Sequence, residues 1–304
     1  MPNREIPKKI ALLNEEVIRH YFLGNYEEAL VLASEEIDLA KECLWEEHPE
    51  FGVLLSNLAL LYYLSGNYAA SELLYRRSLE IRRKSLGENH PDFAKSLGNL
   101  AFLRELMNDY SEAELLYRQA IDVWRKSLGE NHPHFATSLS SLASLYESKG
   151  KYEEAERLYR QVIKIRHKSL GKNHPDLAES LSNLAVLQNV MGNYEEAERL
   201  YRQAIKIRRK SLGKNHPDLA KNLNDLARLY QLMGDYQDAE SLYRQEVEIR
   251  RKSLGENHPD YATTLSDLAS LYSRTGIFIE AEPLYRQAME IRRKSLGENH
   301  PDFA

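Results

Sequence analysis

The sequence predicts an all-α protein, built as a right-handed α-solenoid of antiparallel helical hairpins. The dipeptide His-Pro recurs at a constant spacing of 42 residues, with its histidines at His48, His90, His132, His174, His216, His258 and His300. A glycine, replaced by asparagine in one copy, recurs at the same spacing: Gly24, Gly66, Asn108, Gly150, Gly192, Gly234 and Gly276. Self-similarity at a fixed period of this length indicates a stack of one supersecondary unit. We therefore predict a single array over residues 1–304.

Each repeat contains two helical patterns separated by a turn, as residues 176–212 illustrate. The first pattern of apolar residues at helical spacing ends at Val190, and a second, longer one runs from Tyr194 to Leu212. Between them, Gly192 suits the left-handed position that follows a helix end. The His-Pro dipeptide suits the start of the next helix, because proline favours the first helical position. We name the first helix of each repeat helix A and the second helix B.

The patterns predict seven hairpins, at residues 6–45, 49–86, 91–128, 133–170, 175–212, 217–254 and 259–296. Residues 300–304 are predicted to begin an eighth helix A. Small side chains mark the expected contacts of helix A, at Ala59, Ala101, Ala143, Ala185, Ala227 and Ala269. Their counterparts in helix B are Ala29, Ser71, Ala113, Ala155, Ala197, Ala239 and Ala281. Larger residues are expected to fill the rest of the core, including the turn tyrosines Tyr68, Tyr110, Tyr152, Tyr194 and Tyr236.

The composition narrows the function classes. A net charge of −5 and a pI near 6.1 argue against nucleic acid or an anionic membrane as the partner. Cys43 is the only cysteine, which excludes a disulfide within the chain and favours a reducing compartment and a buried structural thiol. No apolar run approaches the roughly 18 residues of a membrane helix. These observations predict a soluble, cytoplasmic protein.

No motif of catalytic or metal chemistry is found. The repeated histidines are expected to sit one repeat apart, on the order of 10 Å, whereas ligands of one zinc ion must lie within about 2.3 Å of it. We therefore interpret them as capping residues of the loops and expect no metal and no cofactor. The paired glutamates at the start of helix B complement the helix dipole. A stand-alone enzyme is not expected.

Basic triplets end several copies of helix B, at Arg82-Arg83-Lys84, Arg208-Arg209-Lys210, Arg250-Arg251-Lys252 and Arg292-Arg293-Lys294. Three interpretations are open. The triplets could form a ridge that binds nucleic acid. They could be solvated helix ends that complement the dipole. In the third interpretation, the first arginine of each triplet turns toward a concave groove and grips an acidic ligand.

The repeat motifs resemble those of a known family. The patterns L-S/N-N-L-A, Y-x-E-A-E-x-L-Y-R-x-A and I-R-x-K-x-L-G-x-N-H-P recur through almost the whole chain. They resemble the tetratricopeptide repeat, in particular the repeats of kinesin light chain and its bacterial relatives. The period of 42 residues is longer than the usual 34 of that family. The resemblance implies that helix A lines a concave groove and that the groove binds a peptide or protein.

In kinesin light chains, groove asparagines clamp the backbone of an extended cargo peptide, and arginine and lysine receive its acidic residues. By this resemblance, the clamp falls on Asn57, Arg82, Lys95 and Asn99. Leu60 and Phe102 lie beside it and could form a pocket for one aromatic or aliphatic anchor. The next copy of the pattern fails, because Asn99 is followed by Trp124, Thr137 and Ser141.

A partial copy of the clamp returns later in the chain, at Asn183, Arg208 and Lys221. The asparagine that would complete it is replaced by Asp225, and Asp267 follows one repeat later. These two carboxylates would repel acidic residues of a ligand. Residues beside the helix A alanine vary among the copies while the framework does not, so we place specificity there. Neutral drift at solvated positions after duplication is the alternative.

The favoured function is a non-enzymatic peptide- or protein-binding scaffold that recognises an extended, partly acidic segment with an aromatic anchor. The alternative is the sensing or autoinhibitory arm of a larger effector enzyme whose catalytic part lies beyond residue 304. In either case the sequence predicts a protein partner, with no nucleic acid and no membrane.

Two further expectations concern individual residues. Glu246 occupies a helix B position that holds alanine in other copies, so we expect a strained, buried charge, with Glu36 as its counterpart in the first repeat. At the C-terminus, Ala288, Ile291 and Leu296 are expected to present an uncovered face. We expect the natural protein to continue, and a second copy of the chain to cover this face.

Overall fold

The computed structural model describes residues 5–43 and 47–296, and this part of the chain contains fourteen α-helices and no strand. In chain order they are α1 (Glu5–Phe22), α2 (Tyr26–Cys43), α3 (Pro49–Leu64), α4 (Tyr68–Leu86), α5 (Pro91–Leu106), α6 (Tyr110–Leu128), α7 (Pro133–Ser148), α8 (Tyr152–Leu170), α9 (Pro175–Val190), α10 (Tyr194–Ser211), α11 (Pro217–Met233), α12 (Tyr236–Leu254), α13 (Pro259–Arg274) and α14 (Phe278–Leu296). Odd-numbered helices are helix A and even-numbered helices are helix B. The predicted all-α solenoid of hairpins is confirmed.

The chain divides into two compact units, Met1–Lys151 and Tyr152–Ala304. Within each unit, consecutive helices pack against one another in chain order. That residues 1–304 form a single domain stays a prediction. Among the described helices, none combines the length and the apolar character that crossing a membrane requires.

Histidine begins six of the A helices as the N-cap residue. In each, the side-chain Nδ1 accepts a hydrogen bond from the backbone N–H two residues later, as His90 does from Asp92 at 3.1 Å. Proline follows at the first helical position, where its missing N–H has no helical partner to lose. The predicted capping role is thus confirmed at His48, His90, His132, His174, His216 and His258. His300, with residues 300–304, lies outside the described residues.

The turn inside each hairpin requires one residue in the left-handed region. Gly192 has a φ of +79°, and Asn108 takes the same conformation with a φ of +62°. Asparagine adopts this region more readily than other side-chain-bearing residues. Here its carboxamide oxygen also accepts a hydrogen bond from the Tyr110 hydroxyl at 2.9 Å. The substitution of glycine by asparagine therefore leaves the turn intact.

Helices A and B meet at the predicted small residues. The helix A alanines have no exposed surface, and the same holds for their helix B counterparts except Ala281, which is 3% exposed. Ser71 fills the equivalent place in α4 and donates its hydroxyl to the backbone carbonyl of Ala59 at 2.8 Å. Because that bond satisfies the hydroxyl, serine is accepted at a contact that otherwise takes alanine.

The turn tyrosines do not fill the core as predicted. Tyr68, Tyr194 and Tyr236 are each about two-fifths exposed, because they stand at the first position of helix B beside the hairpin turn. The ring of Tyr68 stacks instead on Tyr63, with 6.1 Å between the ring centroids. The buried tyrosines of helix B lie two turns into the helix, as Tyr117 does.

The apolar face of α14 also differs from the expectation. Ala288 and Ile291 are buried in a cluster with α13, so they face the partner helix of their own hairpin. The exposed apolar side chains of α14 include Tyr285 and Met289. Tyr285 is 41% exposed, whereas Tyr243, its equivalent in α12, is 1% exposed. The side chains of Leu296 and Cys43 lie outside what the structure describes.

Glu246 is buried, but it is not a strained, unpaired charge. One carboxylate oxygen accepts hydrogen bonds from Arg250 at 3.0 Å and Thr264 at 2.9 Å, and the other accepts from Asn224 at 2.8 Å. Burial raises the pKa of Glu246 above its ordinary value of 4.5, and these three hydrogen bonds oppose the shift without cancelling it. The expectation was wrong because two of the three donors, Asn224 and Thr264, come from neighbouring helices, and the helix B pattern alone does not show that they approach Glu246.

The same pair of positions recurs with matched residues in other hairpins. Asn14 donates to Glu36 at 3.0 Å in the first hairpin, and this glutamate is also buried. In the second hairpin, the hydroxyls of Ser56 and Ser78 lie 2.7 Å apart. The fifth and seventh hairpins carry serine in helix A and alanine in helix B. Each polar helix B residue in these pairs therefore has a polar helix A partner.

We expect Glu246→Ala to lower the melting temperature, because three donors, of which Thr264 is fully buried, lose their common acceptor. The cost should be about 1–3 kcal/mol. The double variant Asn224→Ser with Glu246→Ala recreates the serine–alanine pair of the fifth and seventh hairpins and should recover most of the loss. Circular dichroism melts of both variants measure this. A melting temperature of the single variant at or above that of the unchanged chain would contradict it.

The effect of Glu246→Ala on the free energy of unfolding should depend on pH. A carboxyl whose pKa is raised by folding stabilises the folded chain most below its ordinary value of 4.5, and this contribution is lost as the pH rises through the folded pKa. The alanine variant lacks this group. The difference in unfolding free energy between the unchanged chain and Glu246→Ala should therefore widen between pH 7 and pH 4.5, as measured by urea denaturation.

Asn108 offers a test of the hairpin turn. Asn108→Ala should destabilise the chain by about 1–2 kcal/mol, because a Cβ without a polar side chain is unfavourable at positive φ. Asn108→Gly, which installs the residue of the other six turns, should not show this loss. Equal losses in both variants would indicate that the hydrogen bond to Tyr110, rather than the backbone conformation, stabilises the turn.

Candidate functional site

A cavity of about 320 Å³ opens on the helix A side of the first unit, between α3, α5 and α7. Four of the predicted site residues line it: Leu60, Lys95, Asn99 and Phe102. Helix B residues Tyr75, Tyr117 and Trp124 form its deeper wall. The structure thus brings together the predicted anchor pocket and one half of the predicted clamp.

The apolar part of the cavity is aromatic. Phe102 is 46% exposed and meets Tyr63 edge to face, with ring centroids 5.6 Å apart. On the opposite side, the buried Trp124 lies against the His134 ring at a centroid distance of 4.9 Å. Rings in this arrangement give a ligand side chain broad apolar surfaces at little cost in conformational entropy.

The polar part of the cavity includes one lysine and one histidine, Lys95 and His134. Lys95 is exposed, and its ammonium lies 3.1 Å from Asp92 on the preceding turn. Partial burial raises the pKa of Asp92, but the hydrogen bond and charge of Lys95 and the charges of Arg82 and His90 lower it overall. Burial, helped by the charges of His132 and Lys95, lowers the pKa of His134. An anionic ligand at this rim would face the Lys95 ammonium on α5 and the His134 imidazole on α7.

Arg82 does not turn into the groove as the third interpretation of the triplets expects. It is 5% exposed and donates to the backbone carbonyl of Asp92 at 3.2 Å and to the hydroxyl of Ser96 at 2.6 Å. The side chain thus joins α4 to the first turn of α5, because the end of helix B lies directly beneath the next helix A. Asn57 is exposed on α3 and is not among the residues that line the cavity.

The second unit holds the partial copy of the clamp. Arg208 is buried and donates to the backbone carbonyl of Asp218 at 2.6 Å, as Arg82 does in the first unit. Asn183 is half-buried and Lys221 is exposed. Burial raises the pKa of Asp225, while the charges of Lys221, Arg228 and Arg208 act against that shift. The cations of this copy therefore already neighbour a carboxylate of the chain.

Sequence reasoning missed several residues of the cavity, among them Tyr63, Trp124 and His134. Two of them carry a signal in the internal comparison. Trp124 stands where most copies have the first arginine of the triplet, and His134 stands where the others have aspartate or glutamate. We interpreted Trp124 as the end of the clamp, yet it walls the same cavity, with Thr137 and Ser141 on the facing helix.

Within the described residues, no group of three or more histidine, cysteine, aspartate or glutamate side chains is placed to hold a metal ion. The polar groups at the cavity include an amide, a lysine and an imidazole at the rim of an aromatic pocket.

Comparison with known protein families identifies the repeats. Models of the tetratricopeptide repeat match overlapping segments at residues 17–84, 50–126, 92–168, 134–210 and 176–252, and a further model of this repeat matches residues 262–302. Among curated proteins, no relative matches the chain.

Solved structures share the fold. BtubC (BKLC) from P. vanneervenii is 25% identical, with a TM-score of 0.67 over 77% of this chain and 94% of that chain. The nearly identical TPR-like repeats of a putative kinesin light chain from Podosopora anserina are 32% identical, with a TM-score of 0.59 over 68% of this chain and 98% of that chain.

A third similarity is to the apo form of the quorum sensor NprR from B. thuringiensis, with a TM-score of 0.69 over 94% of this chain and 77% of that chain. At 20% identity, this similarity concerns the fold alone. The repeat matches cover most of the sequence, and the repeats are similar to those of kinesin light chain-like proteins. The chain therefore belongs to the tetratricopeptide repeat family.

Proposed function

We propose that this protein is a non-enzymatic scaffold that binds an extended, partly acidic peptide segment on the helix A side of its first unit. The observation that carries the proposal is the cavity shared by Leu60, Lys95, Asn99 and Phe102. Repeat arrays present extended surfaces of this kind rather than enclosed catalytic pockets. We also propose a cytoplasmic location, in line with the single cysteine.

The cavity suits a peptide with one apolar anchor flanked by acidic residues. An aromatic or aliphatic side chain can enter between Phe102, Tyr63 and Leu60. The Asn99 carboxamide offers a donor and an acceptor to the backbone of an extended chain. Lys95 and His134 lie at the rim, where a carboxylate could form charge-assisted hydrogen bonds. Binding would favour the protonated form of His134, so affinity should rise as the pH falls toward 6.

The buried arginines take a different role in this proposal. Arg82 would position the first turn of α5, and with it Lys95, rather than contact the ligand. In the second unit, the carboxylate of Asp225 offsets the charges of Lys221 and Arg208, so Asn183, Arg208 and Lys221 form a weaker candidate site. The primary contacts are Leu60, Lys95, Asn99 and Phe102, with Asn57 exposed on α3 for a longer peptide.

We expect Lys95→Glu to weaken binding of a peptide with one tryptophan flanked by aspartates and glutamates. Loss of a charge-assisted hydrogen bond should cost about 1.5–3 kcal/mol. Phe102→Ala should cost a similar amount, because it removes one wall of the anchor pocket. Titration calorimetry gives both values.

The second unit supplies matched controls. Lys221→Glu and Arg228→Ala change the residues equivalent to Lys95 and Phe102, and both should leave the affinity nearly unchanged. If the second-unit variants weaken binding and the first-unit variants do not, the site lies in the other copy. If none of the four changes the affinity, the proposal is wrong.

We propose in addition that α14 contacts a second copy of the chain through its exposed Tyr285 and Met289. The support is that Tyr285 is 41% exposed, whereas Tyr243, its equivalent in α12, is 1% exposed. Met289→Lys should reduce self-association measured by light scattering across concentration. Leu73→Lys, at a side chain on α4 that is 70% exposed, should have no such effect. A concentration-independent monomer mass for the unchanged chain would refute this contact.

A further inference from the structure

The basic triplets at the ends of helix B are neutralised in most copies. In four copies an acidic residue lies three positions before the second residue of the triplet and four positions before the third. These acids are Glu80, Asp122, Glu248 and Glu290. In α12, the Glu248 carboxylate lies 3.0 Å from Arg251 and 2.8 Å from Lys252. Pairs at this spacing on one helix face stabilise the helix by a few tenths of a kcal/mol. Each of these acids therefore lowers the net positive charge of its helix end by one.

Two neighbouring helices break this pattern. Lys164 in α8 and Lys206 in α10 stand where the other copies have the acid. The turns that follow these helices change in the same way, since Lys172 and Lys214 replace a glutamate. In the turn that follows α12 that glutamate is Glu256, which lies 3.6 Å from the Arg251 guanidinium. Each of the four positions thus carries a positive charge where the pattern has a negative one.

We name as the basic surface the cations at the ends of α8 and α10: Lys164, Lys168, Lys172, Lys206, Arg209, Lys210 and Lys214. All seven are exposed. Across the described parts of the chain, none of them forms an ion pair or a side-chain hydrogen bond, in contrast to their equivalents in α4 and α12. Like charges four residues apart, as at Lys206 and Lys210, destabilise a helix. The arrangement therefore costs folding free energy, and an anionic partner would offset that cost.

The basic surface borders an apolar groove of about 580 Å³ between α10 and α12. Its floor is aliphatic, with Ile205, Leu223, Leu226 and Leu242. Its rim includes Lys206, Arg209 and Lys210. Arg202 also lies at the rim, but Glu198 holds it at 2.7 Å, so the uncompensated charge comes from the other three. A ligand seated here would meet aliphatic side chains below and cations along one edge.

The first unit contains the equivalent groove with a different charge. Between α4 and α6 a cavity of about 800 Å³ has Leu79 and Leu97 where the second unit has Ile205 and Leu223. Its rim, however, includes acids: Glu80, Glu88 and Asp122. The two grooves therefore share a construction, and charge is what distinguishes the second.

We infer that the groove between α10 and α12, together with the basic surface, binds an acidic amphipathic helix of a partner protein. Leucine-type side chains on one face of such a helix match the aliphatic floor, and carboxylates on its flank match the rim. Single-stranded nucleic acid is less well matched, because its bases stack on aromatic side chains and the residues that line this groove include none. The site is formed in the second unit by helix B, by the turns that follow it and by Leu223 and Leu226 of α11, so it does not depend on the peptide site proposed on the helix A side of the first unit.

The test uses a fluorescent peptide of about 18 residues, patterned with leucine and glutamate to form an amphipathic helix, and a scrambled peptide of equal composition. Fluorescence anisotropy should show binding of the patterned peptide, and affinity should fall as salt is raised. The variant Lys206→Glu with Lys214→Glu should weaken binding about tenfold or more. Both changes install the residue that α4 and α12 and their turns carry, so the variant is expected to fold.

The matched control is Lys41→Glu at the end of α2, an exposed cation of the first unit that lines none of these cavities, and it should leave this affinity unchanged. A transplant variant, Glu80→Lys with Glu88→Lys, should add a second binding site in the first unit, seen as a higher stoichiometry. Tighter binding of oligothymidine, or of phosphatidylserine vesicles, than of the patterned peptide would overturn the assignment of a protein partner. Equal affinity for the scrambled peptide, or no effect of Lys206→Glu with Lys214→Glu, would overturn the assignment of the binding site to this groove.

Discussion

The contact between one alanine of helix A and one of helix B sets the geometry of each hairpin. These alanines have almost no exposed surface, which lets the two helix axes approach at the short end of the 8–10 Å range. Ser71 shows how narrow the tolerance is, since its one additional atom is accommodated by a hydrogen bond to the Ala59 carbonyl. Once this contact is fixed, each helix presents the same face in every copy. Residues on the remaining faces can then vary, and with them the function, without changing the packing of the two helices.

The sequence predicts the helical hairpins because the motifs that begin and end each helix are local and recur from repeat to repeat. The His-Pro cap is one, since His90 and Asp92 complete their hydrogen bond within one turn. The predicted hairpin bounds agree with the helices to within about two residues, the usual scatter of helix ends. The sequence does not show in which direction an individual side chain points. Arg82 and Tyr68 were placed by residue type, whereas their positions at a helix junction and at a turn decide where their side chains go.

The candidate site was predicted in part for the same reason. Lys95, Asn99 and Phe102 lie on one helix at spacings that share a face, so their convergence on the cavity follows from helical geometry. Trp124 and His134 come from other helices, and only packing brings their rings to 4.9 Å. Pattern matching treated Trp124 as the failure of a clamp. Physically, replacing an arginine by an indole at this junction exchanges a buried donor for an apolar wall, which changes what the groove can bind.

Comparison among the copies separates changes that folding explains from changes that it does not. In the core, Glu246 comes with Asn224, and Glu36 comes with Asn14, so each buried carboxylate has acquired its donor within the chain. On the outer side, Lys206 has replaced an acid without any such partner in the described part of the chain. A buried charge cannot be left unpaired without a cost of several kcal/mol, whereas an exposed one costs only tenths. The core changes therefore had to be compensated internally, while the surface lysines are free to be matched by another molecule.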